Sequence, residues 1–209
     1  ALFLRRHLAR QQSRPLTADN LSFDLGLESA AYGRNVAALT RLVEEGRNSD
    51  PSIALATDLW SHFVDHLERA GDGFRIGHYV DEIYLNILAR LLSANALAGS
   101  AIVSVASELR AILSGRYFRD RYQLDNLVER DYFGWISSPG HIDGFLPVAR
   151  EIQRDLYAYD FSRRAQEDLF GRLMTQLARR SQRKLLGQEW TPGWLARHPE
   201  HIQTDTLGI

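Results

Sequence analysis

Apolar residues recur at three- and four-residue steps along nearly the whole chain, and this period restricts the fold more than any other feature of the sequence. Side chains so spaced share one face of an α-helix, so buried helix faces must organise the core. The cleanest stripe is Val80, Ile83, Tyr84, Ile87, Leu88, Leu91 and Leu92, and its width predicts a helix packed deeply against neighbours. Ile53, Ala56, Trp60, Phe63, Val64 and Leu67 predict a second helix. Asp50-Pro51 starts it well, because aspartate caps free amides and proline is accepted in a first turn. Ile102, Val105, Ala106, Leu109, Ile112 and Leu113 repeat the pattern. Phe145, Ala149, Ile152 and Leu156 mark a further helix. Leu169, Phe170, Leu173, Met174 and Leu177 mark another, whose opposite face carries Arg172, Gln176, Arg179 and Arg183. No segment alternates with period two, so the expected fold class is all-α, an irregular multi-helix array.

Composition fits a soluble globular chain: 209 residues, 44% hydrophobic, 24% charged and 10% aromatic. That aromatic content argues against a disordered segment, which lacks the apolar area to offset ordering entropy. Cysteine is absent, which excludes disulfides and thiolate metal sites and fits a reducing, cytoplasmic compartment. Ala1 is preceded by no signal peptide or initiator methionine, so the chain reads as an excerpt or a processed product. The stretch Ile83–Ala106 holds one formal charge, Arg90, but Asn86 and Asn95 interrupt it and Gly99 is expected to end a helix within it. A buried core helix is expected there, not a membrane span.

The net charge of −1 gives no global attraction to nucleic acid. Its distribution is uneven: Arg163, Arg164, Arg172, Arg179, Arg180, Arg183 and Lys184 face only Glu167 and Asp168 in that stretch. Lys184 is the only lysine in the chain. Arginine's planar fork suits phosphate, though a GC-rich genome would favour the same codons.

Chemistry-bearing patterns are few. His62 and His66 have the spacing to present two imidazoles to one metal, but no third ligand stands at a persuasive distance, so no metal is expected. His198 and His201 are discounted in the same way. Asp155, Asp160, Glu167 and Asp168 read as helix ends and solvated faces. A phosphate-binding glycine loop and a Gly-x-Ser-x-Gly elbow are both missing, and no catalytic residue is assigned. Ser137-Ser138-Pro139-Gly140 is the best internal boundary. Thr191-Pro192 looks like a cap and first-turn proline opening a helix that Pro199 soon interrupts.

A series of local patterns carries a resemblance. Arg183-Lys184-Leu185-Leu186 followed by Gly187-Gln188-Glu189-Trp190-Thr191-Pro192 resembles an element of S-adenosylmethionine-dependent adenine-specific (N6) DNA methyltransferases. In that family the element lies just upstream of the cofactor-binding core and helps line the cofactor pocket. Upstream, Asp168-Leu169-Phe170-Gly171-Arg172-Leu173 and Tyr159-Asp160-Phe161-Ser162 look like further family segments. So do Gly115-Arg116-Tyr117-Phe118, Asn126-Leu127-Val128-Glu129, Asp131-Tyr132-Phe133-Gly134-Trp135 and the Tyr84–Leu97 helix following Trp60. The resemblance spans roughly residues 16–196 and is nearest to large restriction–modification or phage-defence members. Two departures stand out. Glu189-Trp190 replaces the usual aromatic pair, and neither the glycine-rich cofactor motif nor an Asn-Pro-Pro-Tyr catalytic motif occurs in the 209 residues.

The resemblance implies a helical domain over 1–136, a helical segment over 137–186 leading to a Rossmann-like core, and the start of the cofactor-binding element over 187–209. It implies S-adenosylmethionine as cofactor, bound mainly by other sequence, with Gly187, Gln188, Trp190, Thr191 and Pro192 contributing one wall. Arg172, Arg179, Arg183 and Lys184 are the candidate DNA contacts. The expected partners are DNA, the rest of the methyltransferase and other defence-system proteins. A non-catalytic interaction module of a defence complex is the alternative, and balanced charge argues against a stand-alone nucleic-acid binder.

Overall fold

A computed structural model describes residues 14–67, 76–125, 127 and 132–162. Its helices among these residues are α1 (Ala18–Leu25), α2 (Ala30–Ser49), α3 (Pro51–Leu67), α4 (Ile76–Ala98), α5 (Ala106–Leu113), α6 (Arg116–Tyr122) and α7 (Ile142–Leu156). A 3-10 turn over Gly134–Ser137 precedes α7. The strands β1 (Arg14–Pro15) and β2 (Tyr159–Asp160) pair in parallel, Arg14 opposite Tyr159 and Pro15 opposite Asp160. The all-α expectation holds for the described residues.

The caps explain where these helices begin. Thr17 accepts a hydrogen bond from the Asn20 amide at 3.2 Å, and Ser29 accepts one from Tyr32 at 3.0 Å. Asp50 accepts the Ser52 amide at 2.8 Å, so the Asp-Pro start of α3 forms as its sequence predicts. Gly99 ends α4 with φ +64°, a left-handed conformation that other L-residues rarely adopt.

Helix α4 is the hub, packing against α2, α3, α5 and α7. Ile83, Ile87, Leu88 and Leu91 are at most 1% exposed, as the width of their stripe predicts. Burying each such side chain is worth about 2 kcal/mol, so this one helix anchors much of the core. Its aromatic residues bridge outward. Tyr79 stacks on Phe133 and meets Trp60 edge to face, and its hydroxyl donates to the Tyr132 carbonyl at 2.6 Å. Trp135 Nε1 donates in turn to the Tyr79 hydroxyl at 2.9 Å. The Ser137–Gly140 turn begins on the last residue of the 3-10 turn and leads into α7, and the helices on both sides share one hydrophobic core.

Several polar groups in this core are paired. Tyr32 donates to Asp81, Tyr84 donates to the Leu25 carbonyl at 2.7 Å, and Arg90 donates to the Leu113 carbonyl at the C-terminus of α5. A cation there also suits the negative end of the helix dipole. Asn95 and Gln153, both fully buried, exchange amide hydrogen bonds of 2.9 Å. The remaining groups of the pair reach backbone. Asn95 donates to Leu91 and accepts from the Ile102 amide at 2.6 Å, while Gln153 donates to the Ile102 carbonyl at 2.9 Å.

That amide pair corrects one expectation. The Ile102–Leu113 stripe predicts a helix from Ile102, but α5 begins only at Ala106. Ile102 is buried from an extended segment, because Asn95 and Gln153 hold both its backbone groups away from helical pairing. Val105, counted in the apolar stripe, is 50% exposed.

Candidate functional site

An open cleft of about 1130 Å³ lies where α1, the α1–α2 turn and the start of α2 meet the end of α7. Local sequence builds both walls. The Gly26 amide closes α1 on the Ser22 carbonyl, and the Ser29 amide then bonds the Gly26 carbonyl at 2.9 Å before Ser29 caps α2. On the other side, the Tyr157 amide ends α7 on the Gln153 and Arg154 carbonyls. The Tyr157 hydroxyl is pinned 2.8 Å from the Ile102 carbonyl.

The lining combines apolar residues with charges of both signs. Ala30, Ala31, Ala158 and the Phe23 ring contribute the apolar part. Phe23 is 79% exposed, the most exposed large apolar residue among those described. It also breaks the pattern of its helix: Ala18, Leu21 and Leu25 turn inward, whereas Phe23 sits on the opposite face. Asp24, Glu28 and Asp155 supply carboxylates to the same cleft, and Arg34 and Arg154 supply guanidiniums.

Several of these charges are matched. Asp24 lies 2.6 Å from Arg14 Nε and accepts from the Tyr159 hydroxyl, which burial and the Asp24 carboxylate hold well above its ordinary pKa. Arg14 also lies 6.0 Å from the ring centres of Phe23 and Tyr159. Arg34 reaches across to Asp155 at 3.9 Å, a loose pair. Burial nevertheless raises the Asp155 carboxyl, despite the lowering influence of Arg34. Asp155 lies at the end of α7, as the sequence predicts, but it is half-buried in the wall of the cleft rather than fully solvated.

Ser29 is committed to its helix cap and Tyr157 to the Ile102 carbonyl, which leaves neither an activated nucleophile. Elsewhere, Ser52, Asp50 and His141 lie together, but Ser52 donates to Asp50 rather than to the imidazole. The hydroxyl–imidazole contact of a nucleophilic relay is thus missing there. No group of three His, Asp or Glu side chains able to hold a metal occurs among the described residues. His62 is exposed.

Gly187, Gln188, Trp190, Thr191 and Pro192, the candidate cofactor wall, lie outside the described residues. So do the candidate DNA contacts Arg172, Arg179, Arg183 and Lys184. The upstream patterns that carry the resemblance fall largely on packing residues: Tyr117, Phe118, Tyr159 and Phe161 are buried, and Trp135 packs against Phe145. Described arginines on α5 and α6 are mostly matched by acids, Arg110 with Asp143 and Arg121 with Glu108. The sequence singled out none of Phe23, Asp24, Glu28 or Arg34. The one local signal was an aromatic residue on the polar face of α1.

No helix among the described residues is long and apolar enough to cross a membrane. Comparison with protein families, curated proteins and solved structures finds no match to the chain.

Proposed function

We propose that the chain is the helical N-terminal part of an adenine-specific DNA methyltransferase acting in restriction–modification or phage defence. The observation that carries this reading is the order of its sequence patterns, from the Tyr84–Leu97 helix to Gly187-Gln188-Glu189-Trp190-Thr191-Pro192. A helical array whose upstream patterns are spent on packing is consistent with a scaffold that leaves chemistry to downstream sequence.

On this reading a Rossmann-like core completes the enzyme, and no step of methyl transfer falls to the described residues. S-adenosylmethionine, when bound, supplies the methyl group for adenine N6. The chain's contribution is one wall of that site. Thr191-Pro192 would open a helix whose free amides suit a carboxylate, and Trp190 offers a flat apolar face. Arg172, Arg179, Arg183 and Lys184 approach DNA phosphate while the core takes the flipped adenine.

The test is radiolabelled methyl transfer into unmethylated DNA. The 209-residue chain alone should incorporate no label, whereas the same chain extended by its downstream reading frame should be active. In the extended protein, Trp190→Ala should raise the KM for S-adenosylmethionine about tenfold, the loss of about 1.4 kcal/mol of stacking. Incorporation by the 209-residue chain, or an inactive extended protein, would overturn the assignment.

A second reading, a non-catalytic interaction module of a defence complex, is favoured by the packing roles of Tyr117, Phe118, Tyr159 and Phe161. It leaves the Gly187–Pro192 stretch without a ligand.

A further inference from the structure

A largely exposed aromatic ring, Phe23, is among the residues that line the cleft. Phe23 projects into solvent beside Ala30, Ala31 and Ala158, although a phenylalanine ring gains most of its free energy from burial. We propose that this cleft seats the chain's own downstream apolar stripe, Leu169, Phe170, Leu173, Met174 and Leu177.

Connectivity, length and charge support that occupant. Tyr157 and Ala158 line the cleft, and Ser162, four residues beyond Ala158, is the last described residue. Leu169 follows seven residues after Ser162, a reach of up to ~24 Å, which spans a cleft of this size without strain. The stripe's helical period gives it one apolar face that needs a partner. Arg163 and Arg164 precede the stripe, and Asp24, Glu28 and Asp155 are among the cleft's lining residues. This docking does not depend on methyl-transfer chemistry, since an interaction module would need its stripe covered just as an enzyme would.

The absence of cysteine makes the test clean. Phe23→Cys is combined with Phe170→Cys or Leu173→Cys in the full chain, and with Arg179→Cys on the opposite helix face as a control. After mild oxidation, cross-links are read by non-reducing electrophoresis and peptide mass spectrometry. A disulfide requires Cα atoms within about 7 Å, so the stripe pairs should close within one chain at least fivefold faster than the control. Equal rates would overturn the proposal. So would preferential bonding of Phe23→Cys to Leu8→Cys, which would assign the cleft to the upstream segment, or disulfide-linked dimers, which would assign it to a second copy. As an independent readout, Phe23→Asp should increase proteolysis between Arg163 and Lys184 severalfold while leaving the helical circular dichroism unchanged. Unaltered cleavage would count against docking as firmly as a failed cross-link.

Discussion

The ionisation of Glu82 should be felt in stability. It lies on α4 next to the buried Asp81, and burial followed by that neighbouring charge pushes its carboxyl up to about 7. The folded protein therefore holds this proton more tightly than the unfolded chain, where the group titrates near 4.5. Stability linked to the proton is complete below about pH 4.5 and drains away as pH rises through about 7. Glu82→Gln removes the titration. Urea denaturation should find the variant close to the parent at pH 4 and more stable by about 1–3 kcal/mol at pH 8. A difference independent of pH would show that the carboxyl is not held protonated. His141, by contrast, meets Asp50 at 3.4 Å on a partly exposed corner, where screening leaves little for either partner to gain.

At the scale of elements, the amide pair Asn95–Gln153 fixes more than its size implies. It joins α4 to α7 and holds Ile102, so the connection from α4 to α5 is positioned by two side chains distant in sequence from one another. Gln153→Leu leaves the buried Asn95 amide and carbonyl each short of a partner. It should cost about 1–3 kcal/mol in urea denaturation, because one Asn95 N–H loses its acceptor while the Leu91 and Ile102 bonds remain. Replacing both amides by leucine should cost less than the sum of the two single changes, and strict additivity would deny the coupling. This pair also marks the limit of what the sequence could convey. The α4 stripe was legible because each of its residues obeys one local period. The start of α5 was not, because Ile102 matches the helical phase while its backbone is claimed by Gln153, fifty-one positions away. The cleft was illegible for the same reason: Phe23 and Arg34 acquire meaning only when the end of α7 is brought beside them.

For the whole molecule, the proposed DNA contacts lie downstream of the described array. If Arg172, Arg179 and Arg183 track phosphate in the extended enzyme, changing all three to alanine should weaken binding to every sequence alike. It should also lower the slope of log affinity against log salt by about 2–3, because fewer counterions are released. Target preference should survive, since phosphate contacts position a protein without reading bases. A salt titration of both proteins decides the matter, and coincident lines would leave the arginines as solvated surface. The array itself has a further property at this scale. Because β1 lies against β2, the chain enters and leaves the helices at neighbouring points. Mechanically, the array is therefore a side branch rather than a spacer: tension along the chain would pass through two residue pairs without loading the hub helix, and the helices could be excised while the flanks stayed within reach of each other.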